Sequence, residues 1–309
     1  MQKKNIVKKH KMKRSWDDFL YDSICNIIVV FFVIIVFYPL YFIVLASFSA
    51  PEAVNSGEFM LWPKGFNILG YQEVFKNKDI WTGYGNTLIY TTGSTVIGTF
   101  VTVIAGFALS RKDMVGRGWI MKIFLFTNYF GGGTIPLFLA CRSYGITETR
   151  WAPILLGCCS VYNIIVVRSF MDSNIPEELV DAATIDGCGV GKFFFKIAAP
   201  LSKAVIAVIV LYLAVGEWNS YFTAMIMLTE KAKWPLQLFL REILLTASSM
   251  ASGAQEIINM DPDVASQLEQ SAQIVKYAVI IVATLPILCV YPFIQKYFVK
   301  GVMIGSVKG

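Results

Sequence analysis

Six stretches of the chain are apolar enough, and long enough, to cross a membrane, and the charged residues fall between them. The first, residues 24–48, contains no charged side chain. At a rise of about 1.5 Å per residue it spans a hydrocarbon core of about 30 Å with some tilt. A signal peptide has an apolar region of only about 7 to 15 residues, so this run reads as an uncleaved helix although 46–50 faintly resembles a cleavage site. Five more spans follow by the same criterion: 83–109, 119–140, 151–170, 203–228 and 274–298. The second is rich in small residues (Thr91, Thr92, Gly93, Ser94, Thr95, Gly98, Thr99). Small residues let helix backbones approach closely in lipid, which predicts a helix packed inside a bundle. The expected fold class is therefore an all-α membrane protein with six transmembrane helices.

Composition agrees. Of 309 residues, 56% are hydrophobic and 16% charged. Soluble domains are usually about a quarter charged. The net charge of +6 sits between apolar runs, which points to membrane topology and not to nucleic-acid binding. His10 is the single histidine, and none of the six cysteines (Cys25, Cys141, Cys158, Cys159, Cys188, Cys289) forms a C-x-x-C pair. A zinc site and a histidine-dependent triad are thereby set aside, and the cysteines read as small buried hydrophobes.

The 27 basic residues divide about two to one in favour of one orientation. With the N-terminus in the cytoplasm, the inside holds Lys3, Lys4, Lys8, Lys9, Lys11, Lys13 and Arg14. It also holds Arg111, Lys112, Arg117 and Lys122, then Arg168, Lys192, Lys196 and Lys203, and last Lys296, Lys300 and Lys308. The positive-inside rule predicts both termini in the cytoplasm. The outer loops then lie near 49–82, 142–150 and 229–273. The last carries Trp234, Pro235 and an amphipathic stretch over 236–245, and loops this long are usually functional or disordered.

One inner loop stands out: IPEELVDAATIDGCGVGKFFFKIAAPL, residues 175–201. Pro176, Glu177 and Glu178 suit a helix start, and Gly187 suits its C-terminal cap. Leu179, Ala182, Ala183 and Asp186 fall at i, i+3, i+4 and i+7 and share one face of a helix of about three turns. Two alanines there leave room for a close partner. Gly189 and Gly191 allow a turn, Phe193, Phe194 and Ile197 begin a second apolar face, and Pro200 and Leu201 lead into the fifth span. The acids Asp172, Glu177, Glu178, Asp181 and Asp186 disfavour an anionic lipid surface and favour a protein partner.

This segment resembles the EAA loop of ABC importer permeases. The matching positions are Asp181, Ala182, Ala183, Asp186, Gly187, Cys188, Phe194, Ile197 and Pro200, with Asp181 in place of Glu and Cys188 in place of Ala. NYFGGGTIPLFLA (128–140), VYNIIVVRSF (161–170), VGEWNSYFTAM (215–225), WPLQLFLREIL (234–244) and YPFIQKYFVKGVMIGSVKG (291–309) resemble the carbohydrate-import branch. They are most similar to the LplC-type permeases of polysaccharide and complex-oligosaccharide uptake.

The resemblance implies a type I ABC importer permease fold, N-in and C-in. It divides the chain into a cytoplasmic basic tail (1–23), a first transmembrane helix with its extracellular loop (24–82), a core permease domain (83–300) with the coupling loop at about 172–200, and a cytoplasmic tail (301–309). It implies a second homologous permease subunit, two ATPase subunits, an extracellular solute-binding protein and an oligosaccharide substrate, in the lipid of the cell membrane. Leu179, Asp181, Ala182, Ala183, Asp186, Gly187, Phe194, Ile197 and Pro200 are then the ATPase-coupling residues, and the tail 301–309 reaches toward the ATPase dimer.

The chain has no G-x-x-x-x-G-K-[ST] loop. It is not expected to be an enzyme or to bind a cofactor, and ATP and Mg belong to the partner ATPase. Sugars are held by polar groups with aromatic faces, so the substrate-path candidates are Glu217, Trp218, Asn219, Tyr221, Asn128, Tyr129, Tyr162 and Asn163. Inter-helix hydrogen bonding and an interfacial aromatic belt fit the same residues, while a charge at Glu217 within a span marks function by default. A secondary transporter or channel for another small polar solute is the alternative, but apart from Glu217 ionisable residues within the spans are scarce. A membrane-embedded enzyme lacks its nucleophile and metal motifs.

Overall fold

A computed structural model of the chain describes residues 16–55, 61–252, 275–289 and 292, and all regular elements among them are helices. The basic residues 3–14, the acidic part of the last outer loop, Lys296, Lys300, Lys308 and the tail 301–309 lie outside the described residues. The chain divides into two units, Met1–Asn67 and Ile68–Gly309.

In the first unit, α1 (Trp16–Ser47) opens with Asp17 and Asp18 at the positive end of its dipole and continues through Pro39. Its middle is apolar on every side, and each residue from Val29 to Phe37 is at least half exposed. A helix that is hydrophobic all round and uncovered is built for lipid. After α2 (Pro51–Asn55) the chain folds back on the end of α1. The Ala50 N–H donates to the Lys64 carbonyl and the Asn67 N–H to that of Phe48, both at 2.9 Å, and Phe66 stacks on Phe48 with centroids 5.8 Å apart. Gly65 makes the turn with φ +65°, and a Cβ there would lie 2.9 Å from the Ala50 Cβ.

The second unit is organised around one long helix. After α3 (Leu69–Lys76), α4 (Lys78–Ser110) starts where the Asn77 side chain accepts the Asp79 N–H at 2.9 Å. Its buried face repeats every fourth residue: Tyr90, Ser94, Gly98, Thr102, Gly106. A Cβ on Gly98 would strike the Cys158 carbonyl and come within 2.9 Å of Leu213. One on Gly106 would come within 2.5 Å of Val167. The small residues thus admit neighbouring backbones, as expected of helix crossings in lipid.

The third, fourth and fifth spans are broken. The expected helix over 119–140 is α5 (Arg117–Tyr129) and α6 (Thr134–Ser143), bent by 117°. Gly131, Gly132 and Gly133 supply the break, Gly133 with φ +87°. Glycine costs a helix about 1 kcal/mol against alanine, and hydropathy does not register this. The expected helix over 151–170 is α7 (Trp151–Gly157) and α8 (Val161–Asn174), bent by 44°. Next come α9 (Glu177–Ile185), α10 (Val190–Phe193), a π-helical turn (Phe194–Ala198) and α11 (Ala199–Leu201). The chain then turns 81° at Ser202 into α12 (Lys203–Trp218). Pro200 therefore does not lead straight into the fifth span, which itself ends at Trp218 and resumes as α13 (Phe222–Met227). Further along, the described residues form α14 (Leu236–Ser252) and α15 (Val275–Cys289). Cys141 and Cys158 are buried as expected, but Cys159 and Cys289 are exposed on the single chain.

Candidate functional site

Helix α9 is short and sharply ended. Pro176 precedes it with extended backbone, Glu177 and Glu178 occupy its first turn, and Gly187 leaves it at φ +69°. The Cys188 N–H then reaches the Ala183 carbonyl at 2.8 Å and the Gly187 N–H that of Thr184 at 3.0 Å. This is a Schellman motif, and glycine is the residue that enters it without strain.

The helix is docked by one side. Ala183 is 7% exposed and sits in a core with Phe107, Val167, Met171, Phe193, Phe194 and Val205, with Leu179, Val180 and Ile197 packed at its margin. Phe107 of α4 lies 5.0 Å from Phe194 and 6.2 Å from Phe193, centroid to centroid. Asp181, Ala182 and Asp186 are exposed, and Ile185 is 86% exposed. The single partner face expected from Leu179, Ala182, Ala183 and Asp186 is therefore divided. Those four positions cover an arc of about 100° at 3.6 residues per turn, and the arc straddles the edge of the core.

Beside α9 lies a cavity of about 530 Å³. Ion pairs surround it: Lys112 with Glu177 at 2.9 Å, Arg111 with Asp113 at 2.8 Å, and Arg117 and Arg168 with Asp172 at 3.7 and 3.5 Å. Hydrogen bonding to Glu177 raises the Lys112 pKa, and hydrogen bonding to Arg111 lowers that of Asp113. The loops after α4 and after α8 thus share one end of this unit.

The start of α4 is tied to different partners. The Asn86 amide donates to the carbonyls of Ala232 (2.8 Å) and Trp234 (3.0 Å), the Tyr90 hydroxyl to that of Lys233 (2.7 Å), and the Leu236 N–H to the Thr87 hydroxyl (2.8 Å). Glu148, at φ 61°, accepts the N–H and the hydroxyl of Thr229. These contacts hold its carboxyl below the usual glutamate range. Asn86, Thr87 and Tyr90 were not among the expected functional residues. Their sequence signal was an Asn and a Tyr four apart in a span of small residues.

The substrate-path candidates separate by exposure. Asn128, Tyr129 (85%), Tyr162 (58%), Asn219 and Tyr221 (40%) are exposed on the single chain. Asn128 and Tyr129 stand at the end of α5 beside the glycine break. Tyr221 carries the Arg241 guanidinium 5.7 Å from its ring centroid. Asn163, Glu217 and Trp218 are buried. The Trp218 N–H donates to the Ala283 carbonyl at 3.1 Å, and its ring lies 6.3 Å from that of Tyr84. Glu217 lies over Gly157 and beside Ser94.

Lipid-suited apolar helices and bent apolar pairs mark a multi-pass membrane protein that presents a capped, half-exposed helix. No family model matches the chain, but individual proteins do. The polygalacturonan/rhamnogalacturonan transport system permease protein YtcP of Bacillus subtilis (strain 168) is 38% identical, over 94% of this chain and 99% of that protein. Protein LplC of the same strain is 36% identical, over 93% of this chain and 95% of that protein. A crystal structure of a bacterial ABC transporter involved in the import of the acidic polysaccharide alginate superposes with a TM-score of 0.80 at 30% identity. The match covers 93% of this chain and 99% of that one. The chain belongs to the ABC transporter permeases, in the carbohydrate-import branch. It is a membrane subunit, and ATP hydrolysis belongs to a partner.

Proposed function

We propose that this chain forms half of the translocation path of a type I ABC importer, with six spans and both termini in the cytoplasm. A second homologous permease completes the path, two ATPase subunits bind ATP and Mg below it, and an extracellular solute-binding protein delivers the sugar. Helix α4 supports this orientation: one end joins the basic loop and α9, the other joins the loops around Glu148 and Trp234. At about 1.5 Å per residue its 33 residues measure roughly 50 Å, enough to separate two membrane faces.

The observation that carries the coupling role is α9 itself. Ala183 and Leu179 fix it to the core, while Asp181, Ala182, Ile185 and Asp186 stand free. A large apolar residue as exposed as Ile185, set among acids, is suited to a protein partner. ATP-driven closure of the ATPase dimer pushes this helix, and Phe194, Ile197 and Pro200 pass the movement to α12. The path then alternates between outward and inward access. Asn128, Tyr129, Tyr162, Asn219 and Tyr221 face the sugar, with Asn163, Glu217 and Trp218 supporting them from within.

The substrate is an oligosaccharide. Fragments of acidic polysaccharides come first to test, since YtcP is named for polygalacturonan and rhamnogalacturonan and the structural neighbour imports alginate. The experiment is purification through a tag on this chain, followed by reconstitution with the copurifying proteins. ATP-dependent uptake of a polygalacturonan digest supports the reading. Sugar uptake by this chain alone, driven by an ion gradient, overturns it.

A further inference from the structure

The break between α7 and α8 has a neighbour that the coupling role does not use. Gly157 is the last residue of α7. A Cβ built on it would collide with the Glu217 carboxylate and come 3.2 Å from the Ser94 hydroxyl oxygen. The carboxyl of Glu217, in the last turn of α12, therefore occupies the room that a side chain at 157 would take. Glu217 is 9% exposed and Ser94 is fully buried. The Ser94 hydroxyl has no hydrogen-bond partner among the described residues.

Two further contacts fix the surroundings. Gly98, one turn beyond Ser94 on α4, lies under the carbonyl of Cys158, the first residue of the break. Trp218, next to Glu217, donates to Ala283 of α15. The end of α12 is thus held by α15 through one residue and lies against the α7–α8 break and α4 through the other. A carboxyl at membrane depth is costly. Its place at a bend, filling space shaped by a glycine, points to a fit that holds the bend against the end of α12.

We propose that Glu217 is a positioning residue that locks the α7–α8 break to the end of α12, so that the two move together during alternating access. The lock rests on the importer reading for its mechanical sense, but its test needs no sugar. Cys159 lies in the break and is exposed, whereas Cys158 beside it is buried. The rate at which N-ethylmaleimide modifies Cys159, followed by peptide mass spectrometry on the assembled importer, reports the break directly.

In the wild type, ATP should change that rate. Glu217→Ala should label at least about fivefold faster without nucleotide, the lower end of typical coupling between sites, and should respond little to ATP. Gly157→Ala should do the same, because its Cβ expels the carboxyl. The double variant Gly157→Ala/Glu217→Ala should move back toward wild type, since the new methyl fills the vacated room. If Gly157→Ala alone fails to assemble, recovery of assembly in the double variant supports the lock equally. Wild-type labelling in either single variant overturns it, as does a double variant no closer to wild type than Glu217→Ala. A sugar-contacting Glu217 would instead change apparent sugar affinity with Cys159 labelling unchanged. Failure of the importer reading is separate: it would show as absence of a copurifying ATPase in the wild type.

Discussion

Glu148 caps Thr229 across two loops: its carboxylate accepts the Thr229 N–H at 2.9 Å and the hydroxyl at 2.6 Å. The Lys233 ammonium closes the knot on the Glu148 carbonyl at 3.0 Å. These contacts depress the Glu148 pKa, led by the hydroxyl hydrogen bond. The contribution of a lowered carboxyl is therefore present above the ordinary glutamate value of 4.5 and lost as pH falls through the lower folded value. Acidification from neutral into that range should lower the thermal unfolding midpoint more in the wild type than in Glu148→Gln. The effect should be small, because the side chain is solvent-exposed. Equal pH slopes would show that the cap adds nothing.

Ala182 and Ala183 are adjacent, yet the structure gives them opposite consequences. Ala183→Phe overpacks the core around Phe107 and Phe193 and should destabilise by about 1–3 kcal/mol. Ala182→Trp points outward and should leave stability within about 0.5 kcal/mol. If α9 is the ATPase dock, Ala182→Trp should nevertheless reduce ATPase copurification sharply. Thermal unfolding in detergent and the ATPase yield of the pull-down separate the two. Normal copurification with Ala182→Trp would remove this face from the dock.

Within α4, Gly98 and Gly85 offer a matched pair. A methyl at 98 would meet a backbone carbonyl that cannot rotate away, whereas one at 85 meets nothing within 4 Å among the described residues. Gly98→Ala should cost stability or abolish assembly. Gly85→Ala should be neutral or gain up to about 1 kcal/mol from helix propensity. Expression level and unfolding midpoint are the measurements, and similar behaviour of the two variants would refute the close crossing at Gly98.

Much of this was legible in the residues. Gly187 was readable as a cap because a helix start, an apolar period and a glycine stood at the right separation, and its φ of +69° agrees. The uncharged run of α1 could be little else. The break at Gly131–Gly133 was not legible from hydropathy, which averages over glycines. Nor was the boundary between Ala182 and Ala183 on α9, since periodicity gives the spacing of a face but not where the core ends. Asn86, Thr87 and Tyr90 were hidden for a related reason: in a span rich in small residues, polar side chains read as packing, and their backbone partners lie about 150 residues further along the chain.

Trp218 decides between support and substrate contact for the end of α12. Its indole N–H donates to the Ala283 carbonyl at 3.1 Å and its ring is 7% exposed, whereas Tyr221, three residues on, is 40% exposed beneath the Arg241 guanidinium. Trp218→Phe keeps an aromatic ring but loses the donor, so it should cost about 0.5–1.5 kcal/mol of stability, the usual worth of one hydrogen bond. Apparent sugar affinity should stay within about twofold, which corresponds to well under 1 kcal/mol. Tyr221→Ala removes an exposed ring and should do the reverse: little change in the unfolding midpoint, and apparent affinity weaker by about tenfold, equivalent to about 1.4 kcal/mol. Both are read from the same preparations, by thermal unfolding and by sugar-stimulated ATP hydrolysis across a concentration series. If Trp218→Phe shifts affinity while Tyr221→Ala does not, the sugar meets α12 on its inner side, and the exposed residues belong to the interface with the second permease instead.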